Sequence, residues 1–182
     1  SQTTGALTLT GGTISNGALS ASSFGLQSGT ISAVLAGAGA VSKTTGGTVT
    51  LSGVNTFTGG TTVSAGQLTL GVAGALGNNG NSVTVSGGTL DLGGFTQTQN
   101  GGLTLSGGGT IQNGTLSSSG TFGLQNGTVN AILAGSGSVS KTTAGGVTLS
   151  VANSYSGGTT VSAGTLTLGA AGALGNNGNS VT

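Results

Sequence analysis

The stretch NTFTGGTTVSAGQLTLGVAGALGNNGNSVT (55–84) returns as NSYSGGTTVSAGTLTLGAAGALGNNGNSVT (153–182), 98 residues later and identical at 25 of 30 positions. FGLQSGTISAVLAGAGAVSKTT (24–45) returns at the same offset as FGLQNGTVNAILAGSGSVSKTT (122–143). GGTISNGALS (11–20) meets GGTIQNGTLS (108–117) at an offset of 97, a one-residue slip of the kind that belongs in a loop. A closed sandwich gains nothing from writing its strands twice, whereas a stack of coils buries each coil's face on near-identical neighbours. The duplication therefore points to a solenoid of two units. The first is complete over 1–96, and the second, 97–182, lacks a counterpart of VSGGTLDLGGF (85–95).

Within each unit, apolar-polar-apolar triplets recur: LTL (7–9), VTL (49–51), LTL (68–70), VTV (83–85), LDL (90–92), LTL (103–105), VTL (147–149) and LTL (166–168). Such alternation marks half-buried strands with the aliphatic residues inward and the central residue outward. Clusters such as SGG, SAG and NNGN lie between them and supply the positive-φ residues that tight corners need. Helical periodicity is absent, and so much Thr, Val and Gly opposes a helix. The NG pairs are also compatible with type I′ hairpins, and so with an antiparallel sandwich or barrel. The near-identity of the units favours the all-β parallel solenoid instead. Three strands and their corners take roughly 20 residues, which gives about nine coils, about five to a unit. At about 4.8 Å per coil the stack rises roughly 43 Å. Phe24 and Phe57 recur as Phe122 and Tyr155, so they are expected to fill wider corners of the core, with Phe95 as the fifth aromatic.

Composition removes most chemistry. The chain has 42 glycines, 2% charged residues, and no His, Cys, Met, Pro or Trp. High glycine without proline excludes collagen. A net charge of +1 offers no pull on nucleic acid or anionic lipid, and no apolar run reaches the length of a membrane span. Without His or Cys there is no Ser-His-Asp triad or Cys-His pair, and a single acid cannot form a glycosidase carboxylate pair. No catalytic, cofactor-binding or metal-binding residue is therefore assigned, no cofactor is expected, and the segment is read as non-enzymatic. Asp91, the one acid, is expected to be a solvated residue on the outward side of its strand. GAGAVSKTT (37–45) and its copy have Ser rather than Gly before the lysine, unlike a phosphate loop, so Lys43 and Lys141 read as solvated turn residues. NGT at 113–115 and 126–128 fits a glycosylation sequon, but the other copy has NGA and SGT there, so the match is accidental. Absence of cysteine suits an exported chain. With no methionine, residue 1 reads as a processed end or a cut, and a last residue inside a repeat, uncapped, leads us to expect that the array continues.

The openings NTFTGGTTVSAG and NSYSGGTTVSAG, each followed by an LTL strand and a GALG tail, resemble the passenger-associated transport repeat of bacterial autotransporters. That resemblance covers about 50 residues. It implies a right-handed parallel β-helix outside a Gram-negative cell, secreted through a C-terminal barrel that this segment does not contain. Passengers of the family range from adhesins to enzymes, so function does not follow from the fold.

The expected role is a non-catalytic length of extracellular fibre or adhesin stalk on the bacterial surface, serving projection, adhesion or matrix formation. Its expected partners are further copies of the repeat, end to end, and surface polysaccharide or neighbouring cells. The alternative is a surface-binding module for polysaccharide or ice. Ice recognition wants two outward Thr per strand, and the commonest strand here offers one.

Overall fold

The computed structural model describes residues 1–176 and Thr182. Every described ladder is parallel, and the strands form two stacked sheets of a β-solenoid with nine coils. The first sheet runs from Gln2–Leu9 through Ala18–Leu26, Ala40–Lys43, Thr61–Val63, Val83–Val85, Leu103–Leu105, Phe122–Leu124 and Val139–Lys141 to Thr159–Val161. The second takes one strand from each of the same coils, from Thr13–Ile14 to Thr165–Leu168. A third side is mostly irregular, with short strands at Val34–Ala36 and Thr96–Thr98.

The register explains the 98-residue offset. From Phe24 the first-sheet partners are Val41, Thr61, Val83, Leu103 and Phe122, so five coils of 17, 20, 22, 20 and 19 residues make one unit. The one-residue slip also has a place. Ala18–Leu26 is one unbroken strand, whereas the second copy divides into Gly109–Ser117 and Phe122–Leu124 around a turn at 118–121. Two NG pairs adopt left-handed backbone, with Asn16 at φ 63° and Asn113 at φ 58°, but the first turns a corner between strands, the second sits at a register irregularity within Gly109–Ser117, and neither closes a hairpin. Asparagine tolerates this region better than other side chains.

Alternation places Val49, Leu51, Leu68, Leu70, Val83 and Val85 in the core, all at most 1% exposed. Parallel β-strands demand a partner at each backbone group, and on the irregular side side-chain amides supply it. Asn55 Oδ1 accepts from Leu35 N (2.8 Å) while its Nδ2 donates to Ala75 O (2.6 Å), bridging the coils before and after its own. Asn153 repeats this between Leu133 N and Ala173 O. Gln97 does similar work, accepting from Gly74 N and donating to Val72 O.

The paired aromatics are buried as expected. Phe24 meets Phe57 at a centroid distance of 6.1 Å, and Phe122 meets Tyr155 at 6.2 Å, both tilted. The two copies differ in one telling atom. Tyr155 Oη and Thr159 Oγ1 lie 2.8 Å apart, whereas Thr61 Oγ1, the equivalent of Thr159 in the copy that has Phe57, is buried without a hydrogen-bond partner. Phe57→Tyr is therefore expected to stabilise the fold by about 1 kcal/mol, and Tyr155→Phe to destabilise it by about the same. Denaturant midpoints at constant slope measure both, and a Phe57→Tyr variant less stable than wild type would contradict the shared geometry.

Candidate functional site

The first two places where chemistry could gather are the lysines, and the expectation of solvated side chains is wrong for both. Lys43 and Lys141 are 0% exposed. Each ends an inward-alternating strand, so the side chain enters the core and its ammonium emerges under the next corner. Lys43 Nζ donates to Thr45 O and to Ala65 O (3.2 Å), with Thr45 Oγ1 at 3.5 Å. Lys141 Nζ donates to Thr143 O and Ala163 O (3.1 Å) in the same way. Carbonyl oxygens of two successive coils thus converge on one cation, and desolvation holds the Lys43 amine below its ordinary 10.5. The corner glycines Gly66 (φ 64°) and Gly164 (φ 73°) stand over these ammoniums, with room for no side chain. This arrangement clasps coils together and leaves the amine no access to a substrate.

Asp91 also departs from expectation. It faces outward, between buried Leu90 and Leu92, yet it is only 8% exposed. Its Oδ2 accepts from Gln112 Nε2 (2.9 Å), Asn113 Nδ2 (2.9 Å) and Gln67 Nε2 (3.4 Å), and its Oδ1 accepts from Gly93 N (2.9 Å). Residues from three successive coils cover the carboxylate, a grouping that single-strand alternation could not reveal. Phe95, four residues on, is 36% exposed, unlike the four aromatics in the core.

The outer faces carry the remaining polar groups. On the first sheet Ser42, Thr62, Thr84, Thr104, Gly123 and Ser140 follow one another in register, one per coil. A groove of about 390 Å³ lies against this face, lined by Ser82, Gly101, Gly102, Thr104, Thr121 and Gly123 among others. The second sheet is richer than one outward residue per strand. Its strands begin one residue before each triplet, so Thr48 and Thr50, Gln67 and Thr69, Thr89 and Asp91, Thr110 and Gln112, and Thr128 and Asn130 stand in two columns. Among the described residues no group of three or more His, Cys, Asp or Glu could hold a metal ion. The asparagine-rich turn of the second copy, 177–181, lies outside the described residues.

The passenger-associated-transport-repeat family model matches residues 41–70 and 139–168. Each match begins upstream of the NTFTGG-type opening and takes in the lysine, the bridging asparagine, the buried aromatic and the corner glycine. The repeat therefore coincides with the clasp between neighbouring coils. No curated protein and no solved structure is similar enough to count as a match. The chain thus carries two passenger-associated transport repeats in one β-solenoid, and that repeat family implies a cell-surface or secreted location.

Proposed function

From two passenger-associated transport repeats set in one β-solenoid, we propose that this chain is a non-catalytic length of an extracellular bacterial passenger, a stalk or fibre that projects from the cell and adheres by many weak contacts. The observation that carries the reading is the five-coil unit. Because one unit ends in the same register in which it begins, further copies continue the stack without a new interface, in one chain or end to end between chains. Flat faces of Thr, Ser and Asn then recur along the rod. Weak polar contacts multiplied along such an array give strong attachment without a strong single site.

The test is to insert a second copy of residues 24–121 between Thr121 and Phe122 of the native chain. Five added coils should lengthen the particle by about 24 Å while preserving an all-β spectrum. Attachment of cells displaying the chain to their neighbours and to polysaccharide-coated surfaces should rise with the number of units. A globular particle, or attachment indifferent to unit number, would overturn the proposal.

The paired columns of the second sheet favour a second reading, a module that lies flat on a polymeric or crystalline surface. Both columns are threonine at Thr48 and Thr50, but amides at Gln67, Gln112 and Asn130 and the carboxylate of Asp91 interrupt them. That irregularity suits a polysaccharide better than an ice lattice. Absence of thermal hysteresis would dispose of the ice form.

A further inference from the structure

We propose that Phe95 and the Asp91–Gln112–Asn113 cluster form a saccharide-binding site for a neutral glycan on the edge of the fifth and sixth coils. This deepens the polysaccharide contact suggested above and rests on the solenoid being displayed outside the cell. The Asp91 carboxylate can only accept hydrogen bonds. Asp91 Oδ2 takes the amide N–H groups of Gln112, Asn113 and Gln67. Commitment of each amide nitrogen to Asp91 turns the opposite amide oxygen away from it, which fixes the flip of all three side chains. Exposed Asn113 and half-buried Gln112 thereby hold their oxygens as oriented acceptors at the surface.

The aromatic stands next to them through the backbone. Gly93, whose N–H binds Asp91 Oδ1, sits beside the Phe95 ring, and a Cβ there would lie 3.3 Å from Phe95 Cδ2. Thr115 N donates to Phe95 O at 3.0 Å, and Gly94 N donates to Asn113 O at 2.6 Å, so the aromatic loop is tied to the strand that carries the amides. Gly114 allows this approach, since a Cβ on it would meet Phe95 O at 2.5 Å. The site is thus held by the fold before any ligand arrives, which limits the ordering cost of binding.

The chemistry selects the ligand class. Planar amide oxygen acceptors match the hydroxyl donors of a sugar ring, and a partly exposed aromatic face suits the ring's apolar C–H side. Every polar partner of Asp91 is a neutral amide, so its negative charge is not offset locally and disfavours uronates and sulfated glycans.

Affinity electrophoresis of the full chain tests this, in gels containing dextran, laminarin, hydroxyethylcellulose or galactomannan, with polygalacturonate as the acidic comparison. At least one neutral polymer should retard the wild type. Phe95→Ala should weaken that interaction about tenfold, the equivalent of one ring contact. Asn113→Ala should also weaken it, and Phe95→Trp should retain it. Circular dichroism of each variant separates lost binding from lost structure, and Phe95 is exposed enough to be replaced without unfolding a coil. No retardation by any neutral polymer, retardation unchanged in folded Phe95→Ala, or stronger retardation by polygalacturonate would each overturn the assignment. Rods that lengthen and adhere normally in Phe95→Ala would leave the stalk reading standing while this site falls.

Discussion

Replacing Gly66 or Gly164 by alanine is expected to destabilise the protein by about 3 kcal/mol or more, among the largest effects available to a single methyl group. Two costs combine. The backbone is left-handed at both positions, at φ 64° and φ 73°, where a Cβ is strained whatever the space. The methyl group would also meet two backbone carbonyl oxygens, those of Thr45 and Gly47 at Gly66, and would lie 2.6 Å from Lys43 Nζ. Relief requires either the corner to open or the ammonium to leave its carbonyls. Gly46→Ala is the control, since a Cβ there meets nothing within 4 Å and φ is not positive. It should shift stability by less than about 0.5 kcal/mol. Urea midpoints for Gly66→Ala, Gly164→Ala and Gly46→Ala settle the comparison. Equal effects at Gly46 and Gly66 would mean that the corner is not closed as described.

Lys43→Met and Lys141→Met are each expected to cost about 2–3 kcal/mol. Methionine replaces most of the volume and removes a buried charge, which by itself favours the variant. Against this, the carbonyls of Thr45 and Ala65, or of Thr143 and Ala163, lose a donor inside the fold. Two orphaned acceptors outweigh the relief of one desolvated amine that already had partners. The Lys43 amine also carries a pH signature. Burial lowers its folded value below 10.5, so between the two values the unfolded chain holds more protons and the lysine's contribution to stability rises with pH. The stability gap between wild type and Lys43→Met should therefore widen across that interval. A gap that narrows there would show that the charged form is favoured by the cradle over water.

The clasp also explains why charge is so scarce without being absent. A solenoid places equivalent residues of neighbouring coils about 4.8 Å apart, and like charges in such a ladder repel. Each lysine here stands alone in its ladder. The neighbour of Lys43 in the next coil is Val63, and that of Lys141 is Val161. A lone interior cation therefore joins two corners without facing its own kind.

Much of this fold was legible in the sequence. The 98-residue offset required a structure in which position 24 and position 122 have the same surroundings, and a stack of parallel coils is the simplest that does so. Triplets such as VTL (49–51) told inside from outside because alternation along a strand is a local property. The corners were not legible in that way. Lys43 looked like a turn residue because it precedes TTGG, and only the stacking of Ala65 and Gly66 over it, some 22 residues on, shows it to be interior. Asp91 faces outward as its triplet implied, but Gln67 and Gln112 cover it from the coils on either side. Buried Gln99, whose side-chain amide has no hydrogen-bond partner, gave no signal at all among the polar residues around it.

By itself, then, the sequence determined the class of fold, the number of coils and most of the strand residues that form the core, though not Leu168, which is exposed, because these follow from repetition and from period-two alternation within one segment. Tertiary structure decided what the lysines, the lone aspartate, the bridging asparagines and the exposed phenylalanine do. Their neighbours lie one coil away, roughly 20 residues along the chain, and only the lateral register of the stack brings those residues together.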